Sequence, residues 1–156
     1  MQVIYLSKVP VLTNVMDRLE EQRDVGVLEA LEYTVDALEQ LLERKPDVVV
    51  WNTEETSPLE VQALITELKE RKSGMAVILL TAPLGEDEFL DHLTIKANGL
   101  ICRDEHVAEE TVKAVQAVRE GGFVMPKRNL DGFIQQLKEL EETEIRGARV
   151  GEEQNG

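Results

Sequence analysis

The stretch KPDVVVWNTEETSP, Lys45 to Pro58, drives an apolar run of strand type into Asn52. Strands of this kind often deliver a reactive carboxylate at that place, able to act as a nucleophile. An amide has no carboxylate oxygen with which to act as that nucleophile. Asn52 can accept and donate hydrogen bonds, and its expected work is to hold the neighbouring loops.

Few other residues invite chemistry. Glu54 and Glu55 follow Asn52 and offer carboxylates to a cation, but a hard-metal site needs several converging ligands, and adjacent loop glutamates are more often solvated. His92 and His106 lie far apart with no Cys or carboxylate at ligand spacing, which suits surface or capping roles. Cys102 sits in an apolar run as a buried thiol, and Trp51 belongs to the core or the rim of a sheet. Neither G-x-G-x-x-G nor G-x-x-x-x-G-K occurs, so no phosphate-cradling glycine loop is present. No Ser-His-Asp spacing marks a nucleophile.

The elements that must position these residues follow from periodicity. Gln2–Leu6, Val25–Ala30, Asp47–Trp51, Ala76–Leu80 and Leu100–Cys102 read as strands. Between them run helical patterns. One opens at Pro10 and carries Leu12, Val15, Met16 and Leu19. A second, capped by Thr34, carries Val35, Leu38, Leu41 and Leu42. A third starts at Ser57-Pro58 and buries Val61, Leu64, Ile65 and Leu68. Glu86–Lys96 and Ala108–Glu120 complete the set, the last closed by Gly121-Gly122. Five strands alternating with five helices call for an α/β fold with a doubly wound parallel sheet. Sites in such sheets form beyond the carboxyl ends of the strands, which points to the loops after Leu6, Trp51, Leu80 and Cys102. Residues 1–127 are expected to form this domain. Leu130, Phe133, Ile134, Leu137 and Leu140 predict a further amphipathic helix over 128–144, and 145–156 reads as a flexible tail or linker.

At those loops the chain resembles the receiver domains of bacterial two-component response regulators, over about Gln2 to Lys127. KPDVVVWN, AVILLTA (Ala76–Ala82), ANGLICRD (Ala97–Asp104) and VKAVQAVREGGFVMP (Val112–Pro126) carry the resemblance. It implies a flavodoxin/CheY-like sheet of order 2-1-3-4-5. It also assigns five positions. The paired acidic residues that bind Mg²⁺ fall on Ser7 and Lys8, the phosphoacceptor aspartate on Asn52, the phosphate-binding hydroxyl on Thr81 and the lysine on Arg103. The aromatic reporter falls near Ile101 or Cys102, where no aromatic stands. Thr81 alone keeps the family's residue type. Mg²⁺ prefers carboxylates, whereas Lys8 repels a cation. One arrangement open to Lys8 is to sit where the metal would, donating to the Asn52 carbonyl oxygen. Thr81 with Arg103 can hold an anion, but the favoured reading is a strand-end hydroxyl satisfied by backbone.

Composition sets the outer bounds. The chain has 156 residues, 42% of them hydrophobic, enough for one domain with a real core. A single cysteine permits no intrachain disulfide, and no signal peptide or bilayer-length apolar run is seen, so a cytoplasmic location is the expectation. The net charge of −14 opposes direct nucleic-acid binding. The resemblance then implies an atypical receiver, or pseudo-receiver. It would work as a phosphorylation-independent signalling or localisation module through an unidentified protein partner, with no enzyme activity and no cofactor. The receiver dimer face matches Glu86–Lys96, Leu100–Cys102 and Ala108–Glu120, which implies a homodimer. Atypical receivers also stand at the front of longer proteins such as MinD-like ATPases of pilus assembly, an origin open to this chain. The alternative is a small-molecule or anion sensor built from Ser7, Lys8, Asn52, Thr81 and Arg103. A flavodoxin-like enzyme fits poorly, because SKVPVLTN after the first strand is no phosphate-cradling loop.

Overall fold

Val48–Asn52 is buried along its whole length, as a strand covered on both faces must be, and the remaining elements arrange themselves around it. The computed structural model describes residues 1–83, 96–125 and 138–139. In chain order it contains β1 (Gln2–Ser7), α1 (Thr13–Glu20), β2 (Val27–Glu32), α2 (Ala37–Arg44), β3 (Val48–Asn52), α3 (Pro58–Glu70), β4 (Ala76–Thr81), β5 (Gly99–Cys102) and α4 (Val107–Arg119). The five strands are parallel in the order β2-β1-β3-β4-β5. This is the doubly wound sheet that the alternating pattern predicts.

Strand alternation sorts the core into two layers. Val3, Tyr5, Val50, Ile78, Leu80 and Ile101 form one layer with Val15 and Leu19 of α1 and Val107, Ala114, Val115 and Val118 of α4. Ile4, Leu6, Val49, Trp51 and Leu79 are equally buried and alternate to the other face. There Ala37 and Leu41 of α2 and four apolar residues of α3 supply the buried helix positions. After α4, Gly121 takes a left-handed φ of 87°, for which glycine has no steric penalty. The chain then returns along β5, with Leu100 N donating to Val124 O.

Several boundaries differ from expectation, each for a local reason. Helix α1 starts at Thr13 and not at Pro10, because Lys8 to Leu12 form a loop in which Leu12 N donates to the Tyr5 hydroxyl. Strand β2 is shifted by two residues: Gly26 N and Val27 N both donate to Met1 O, and pairing runs from Gln2↔Val27 to Ser7↔Glu32. Thr34 does not cap α2. Its hydroxyl accepts from Asp36 N two residues on, a local turn that competes with helix, and α2 begins at Ala37. Val35 consequently lies in that turn and is fully exposed. The expected helix over Glu86–Lys96 falls outside the described residues except for Lys96, which is not helical and has a φ of 62°.

The chain divides into two units, Met1–Met125 and Pro126–Gly156. Of the second, Lys138 and Glu139 are described; both are helical and exposed. The expected helix over 128–144 and the tail over 145–156 otherwise lie outside the described residues.

Helix α3 has the best-defined start. Ser57 Oγ accepts from Glu60 N while the Glu60 carboxylate accepts from Ser57 N, a capping box with Pro58 in the first turn. Ser57→Ala is expected to lower the unfolding free energy by about 1 kcal/mol, read as a drop in urea midpoint with an unchanged denaturant slope.

Candidate functional site

Parallel pairing places the ends of β1, β3 and β4 side by side, so Ser7 lies opposite Asn52, and Asn52 opposite Leu80. Thr81 pairs with Cys102, which sets Arg103 just past the sheet edge. The register alone therefore gathers Ser7, Asn52, Thr81 and Arg103 at one end of the sheet, and Lys8 begins the adjoining loop.

Asn52 is completely buried. Its Oδ1 accepts from Glu54 N at 3.2 Å and from Arg103 Nη1 at 3.0 Å. The same Arg103 nitrogen donates to Leu80 O, which also takes Thr53 N and Thr53 Oγ1 at 3.1 Å each. Arg103 N in turn donates to Thr81 O at 2.7 Å. One residue beyond β5 thus ties the ends of β3, β4 and β5 together. These donors orient the amide: turned over, Nδ2 would face a guanidinium and a backbone N–H. The cost is a buried Nδ2 without a hydrogen-bond acceptor among the described residues, against the usual pairing of buried polar groups. The Tyr5 hydroxyl lies near enough to be influenced by the Asn52 amide, although the two do not meet hydrogen-bond geometry. Burial pushes the Tyr5 phenol above its ordinary pKa, and the Leu12 N–H and the Asn52 amide oppose that rise. Desolvation lowers the pKa of Arg103, with the Glu54 carboxylate opposing.

The other expected residues face elsewhere. Ser7 is buried, but its hydroxyl donates to Val9 O and accepts from Val9 N, closing a turn within its own loop. Thr81 Oγ1 donates to Ala82 O at 3.0 Å, the backbone-satisfied arrangement. Lys8 does not approach Asn52; Arg103 occupies the place open to it. The Lys8 ammonium instead pairs with Glu60 Oε2 at 3.0 Å, donates to Glu55 O at 3.3 Å, and stands 5.3 Å from the ring centroid of Tyr33. Tyr33 stacks on Trp51 with centroids 5.1 Å apart. The reason is electrostatic: Glu60 offers a carboxylate, whereas Asn52 offers only an amide dipole that Arg103 already uses.

Glu54 and Glu55 gather no further ligands; the described residues contain no cluster of three or more His, Cys, Asp or Glu placed to hold a metal. His106 is exposed beside Glu105, and His92 lies outside the described residues. Cys102 is buried. The sequence offered a readable sign of one missed residue: Glu60 stands three after Ser57, the capping-box spacing. Nothing in the pattern marked Tyr5, Tyr33 or the Leu80 carbonyl.

No protein-family model matches the chain, and no curated protein matches it. Solved structures do. The isolated receiver domain of RcsB from Salmonella enterica serovar Typhimurium superposes with a TM-score of 0.72 at 20% identity, over 86% of this chain and 98% of that one. The fold is that of a receiver domain. The signal receiver domain of the putative response regulator NarL from Mycobacterium tuberculosis gives 0.65 at 22% identity, over 77% and 96% of the two chains. A structure of two RcsB dimers bound to two parallel DNAs gives 0.67 at 20% identity, over 84% of this chain and 66% of that one. These likenesses establish the architecture around the site. No helix among the described residues is long and apolar enough to cross a membrane.

The two cations predict different losses. Arg103→Ala removes a charged donor shared by two buried acceptors and is expected to cost about 1–3 kcal/mol in chemical denaturation. Lys8→Ala breaks a solvent-accessible pair and is expected to cost less than about 1 kcal/mol. The pH dependence has a definite sign. The Lys8 ammonium and the Ser57 N–H hold the Glu60 carboxyl below its ordinary pKa of 4.5. A lowered folded-state pKa gives stability that is present above 4.5 and lost as pH falls through the folded value. The stability gap between wild type and Glu60→Gln should therefore shrink as pH drops below 4.5, followed by urea midpoints across the acid range.

Proposed function

We propose that this chain is a phosphorylation-independent signalling or localisation module, a pseudo-receiver that acts through protein–protein contacts and has no catalytic step of its own. One observation carries the reading: Asn52 stands at the end of the central strand with its oxygen committed to Arg103 and Glu54 N. In the receiver family that place holds the phosphoacceptor carboxylate. An amide there cannot form an acyl phosphate. The neighbouring positions supply a hydroxyl turned into its own loop and an ammonium paired with Glu60, a poor offer to Mg²⁺. The residues that remain serve as struts.

The resemblance implies a homodimer face drawn from β5 and α4, together with Glu86–Lys96, a segment that falls outside the described residues except for Lys96. A localisation role is of the kind that front-domain receivers fill in MinD-like ATPases, and the gene's full reading frame decides whether this chain belongs to such a protein. The anion-sensor alternative draws less support, since Thr81 Oγ1 donates to Ala82 O and Arg103 is engaged by Asn52 and Leu80.

Acetyl phosphate, or beryllofluoride with Mg²⁺, is expected to change neither the intact mass nor the light-scattering mass of the protein. Asn52→Asp is expected to stay unmodified under the same conditions, because Ser7 and Lys8 still provide no metal carboxylates. A phosphorylated Asn52→Asp product in the mass spectrum would overturn the assignment of the site.

A further inference from the structure

The two edges of the sheet differ. At the β5 edge the returning chain covers the backbone: Leu100 N donates to Val124 O, and Val124 N donates to Asn98 O. The β2 edge is open. Val27 N and Tyr33 N donate to Met1 O and Ser7 O, and the register with β1 runs unbroken between them. The odd-numbered residues of β2 therefore turn their N–H and C=O groups toward β1, and strand alternation turns those of Leu28, Ala30 and Glu32 outward. Among the described residues no hydrogen bond reaches these three from the outer side. Ala30 and Glu32 are exposed. Such an edge is usually blunted by lysine, proline or a bulge, whereas β2 reads VLEALE in continuous register. Of its two glutamates, Glu29 is paired with Arg44. The same strand walls a hollow of about 310 Å³, lined by Val9, Pro10 and Val11 of the loop after β1 and by Ala30, Leu31 and Glu32.

We infer that the β2 edge docks an extended segment of a partner protein, which adds a strand to the sheet and places an apolar side chain in the hollow. The backbone selects a strand. N–H and C=O groups repeated at every second residue are matched by another extended chain, whereas a helix has its own groups bonded internally. Main-chain bonds of this kind supply affinity, and a neighbouring pocket supplies the choice of side chain. The wall of Val9, Pro10, Val11 and Leu31 selects an apolar one. Glu32, exposed and in no ion pair among the described residues, favours a lysine or arginine beside it. A second copy of β2 would bring its own glutamates, on a chain of net charge −14, to the same edge. The inference rests on the chain acting through protein contacts, and it locates one such contact away from the β5–α4 face.

The test uses the full chain and a synthetic strand. The probe is a peptide of roughly ten residues, alternating threonine and valine, with one central phenylalanine and a lysine at each end. The comparisons are the same peptide with its central amides N-methylated, which removes their donors, and a version with serine for phenylalanine. Amide hydrogen exchange gives the decisive readout. With saturating peptide the amides of Leu28, Ala30 and Glu32 are expected to slow about tenfold or more, while those of Glu29 and Leu31, already turned to β1, change little. In calorimetry both comparison peptides should bind about tenfold or more weakly than the probe. Ala30→Pro removes an outward N–H without breaking a β1–β2 bond, at a place where edge strands accept proline, and Val11→Asp puts a charge on the wall of the hollow. Each should weaken the probe by about tenfold. Ala30 is exposed and Val11 is 40% exposed, and circular dichroism checks that both variants fold. Leu59→Asp, exposed on α3, should leave binding unchanged. No binding, protection without the two-residue period, or wild-type affinity in both Ala30→Pro and Val11→Asp would overturn the edge assignment. So would a dimeric light-scattering mass for the free chain with the same three amides already protected. A phosphorylated Asn52→Asp product bears on the functional reading alone, so the two failures stay distinguishable.

Discussion

A buried amide at the end of a central strand has to be given donors, and most of the local architecture follows from how this chain supplies them. Asn52 has no access to solvent, so its carbonyl oxygen must be satisfied from within. Glu54 N turns back to it through a short loop, and Arg103 reaches it from the far side of β4. Because the same guanidinium nitrogen also serves the Leu80 carbonyl, the solution for one side chain fastens three strands. An Nδ2 without a hydrogen-bond acceptor among the described residues is the residual cost of fixing the amide in this orientation. Losing the side chain of Asn52 or of Arg103 would break more than one hydrogen bond, as at a structural joint.

The second cation shows how position decides role. Lys8 and Arg103 flank the same strand ends, but the Lys8 ammonium is drawn outward by a carboxylate, a backbone carbonyl and the face of Tyr33. Those partners are themselves anchored: Glu60 by the capping box of α3, Tyr33 by stacking on Trp51. Lys8 therefore connects the β1 loop to the helix that follows β3 without entering the buried cluster. Exposure keeps its energetic contribution small, while Arg103, partly desolvated and hydrogen-bonded to two acceptors, contributes more.

The strands and their order were legible because apolar runs such as VVVW and AVILL have one reading once they alternate with helical patterns, and parallel pairing then fixes which residues share the sheet's carboxyl edge. The grouping of Ser7, Asn52, Thr81 and Arg103 at that edge follows from register alone. Side-chain partners were not legible. Whether Lys8 or Arg103 meets the Asn52 oxygen depends on competing acceptors, and Glu60, decisive for Lys8, lies 52 residues away in sequence. Edge elements were also misplaced. Strand β2 reads VLEALE, with glutamates three apart at 29 and 32 and no period-2 alternation to mark its end, although Leu31 and Glu32 pair with Leu6 and Ser7. Thr34 has the side chain of a helix cap, but its hydroxyl closes a turn two residues on, and that choice puts Val35 outside.

A ligand shifts a conformational equilibrium only by the difference in its affinity for the two states. An anion arriving at this sheet edge would act by recruiting its hydroxyl and its cation. Here the hydroxyl of Thr81 bonds the adjacent carbonyl, and the guanidinium of Arg103 is bonded to Asn52 and Leu80. The aromatic pair, Tyr33 and Trp51, sits on β3 and the loop after β2, where it is tied to Lys8 and not to β5. An incoming anion would have to break these bonds before making its own, which reduces any preference it has for a second state. On the proposed reading, selection on such a chain falls on the surfaces it presents, because the joint at the strand ends holds one arrangement whether or not a signal arrives.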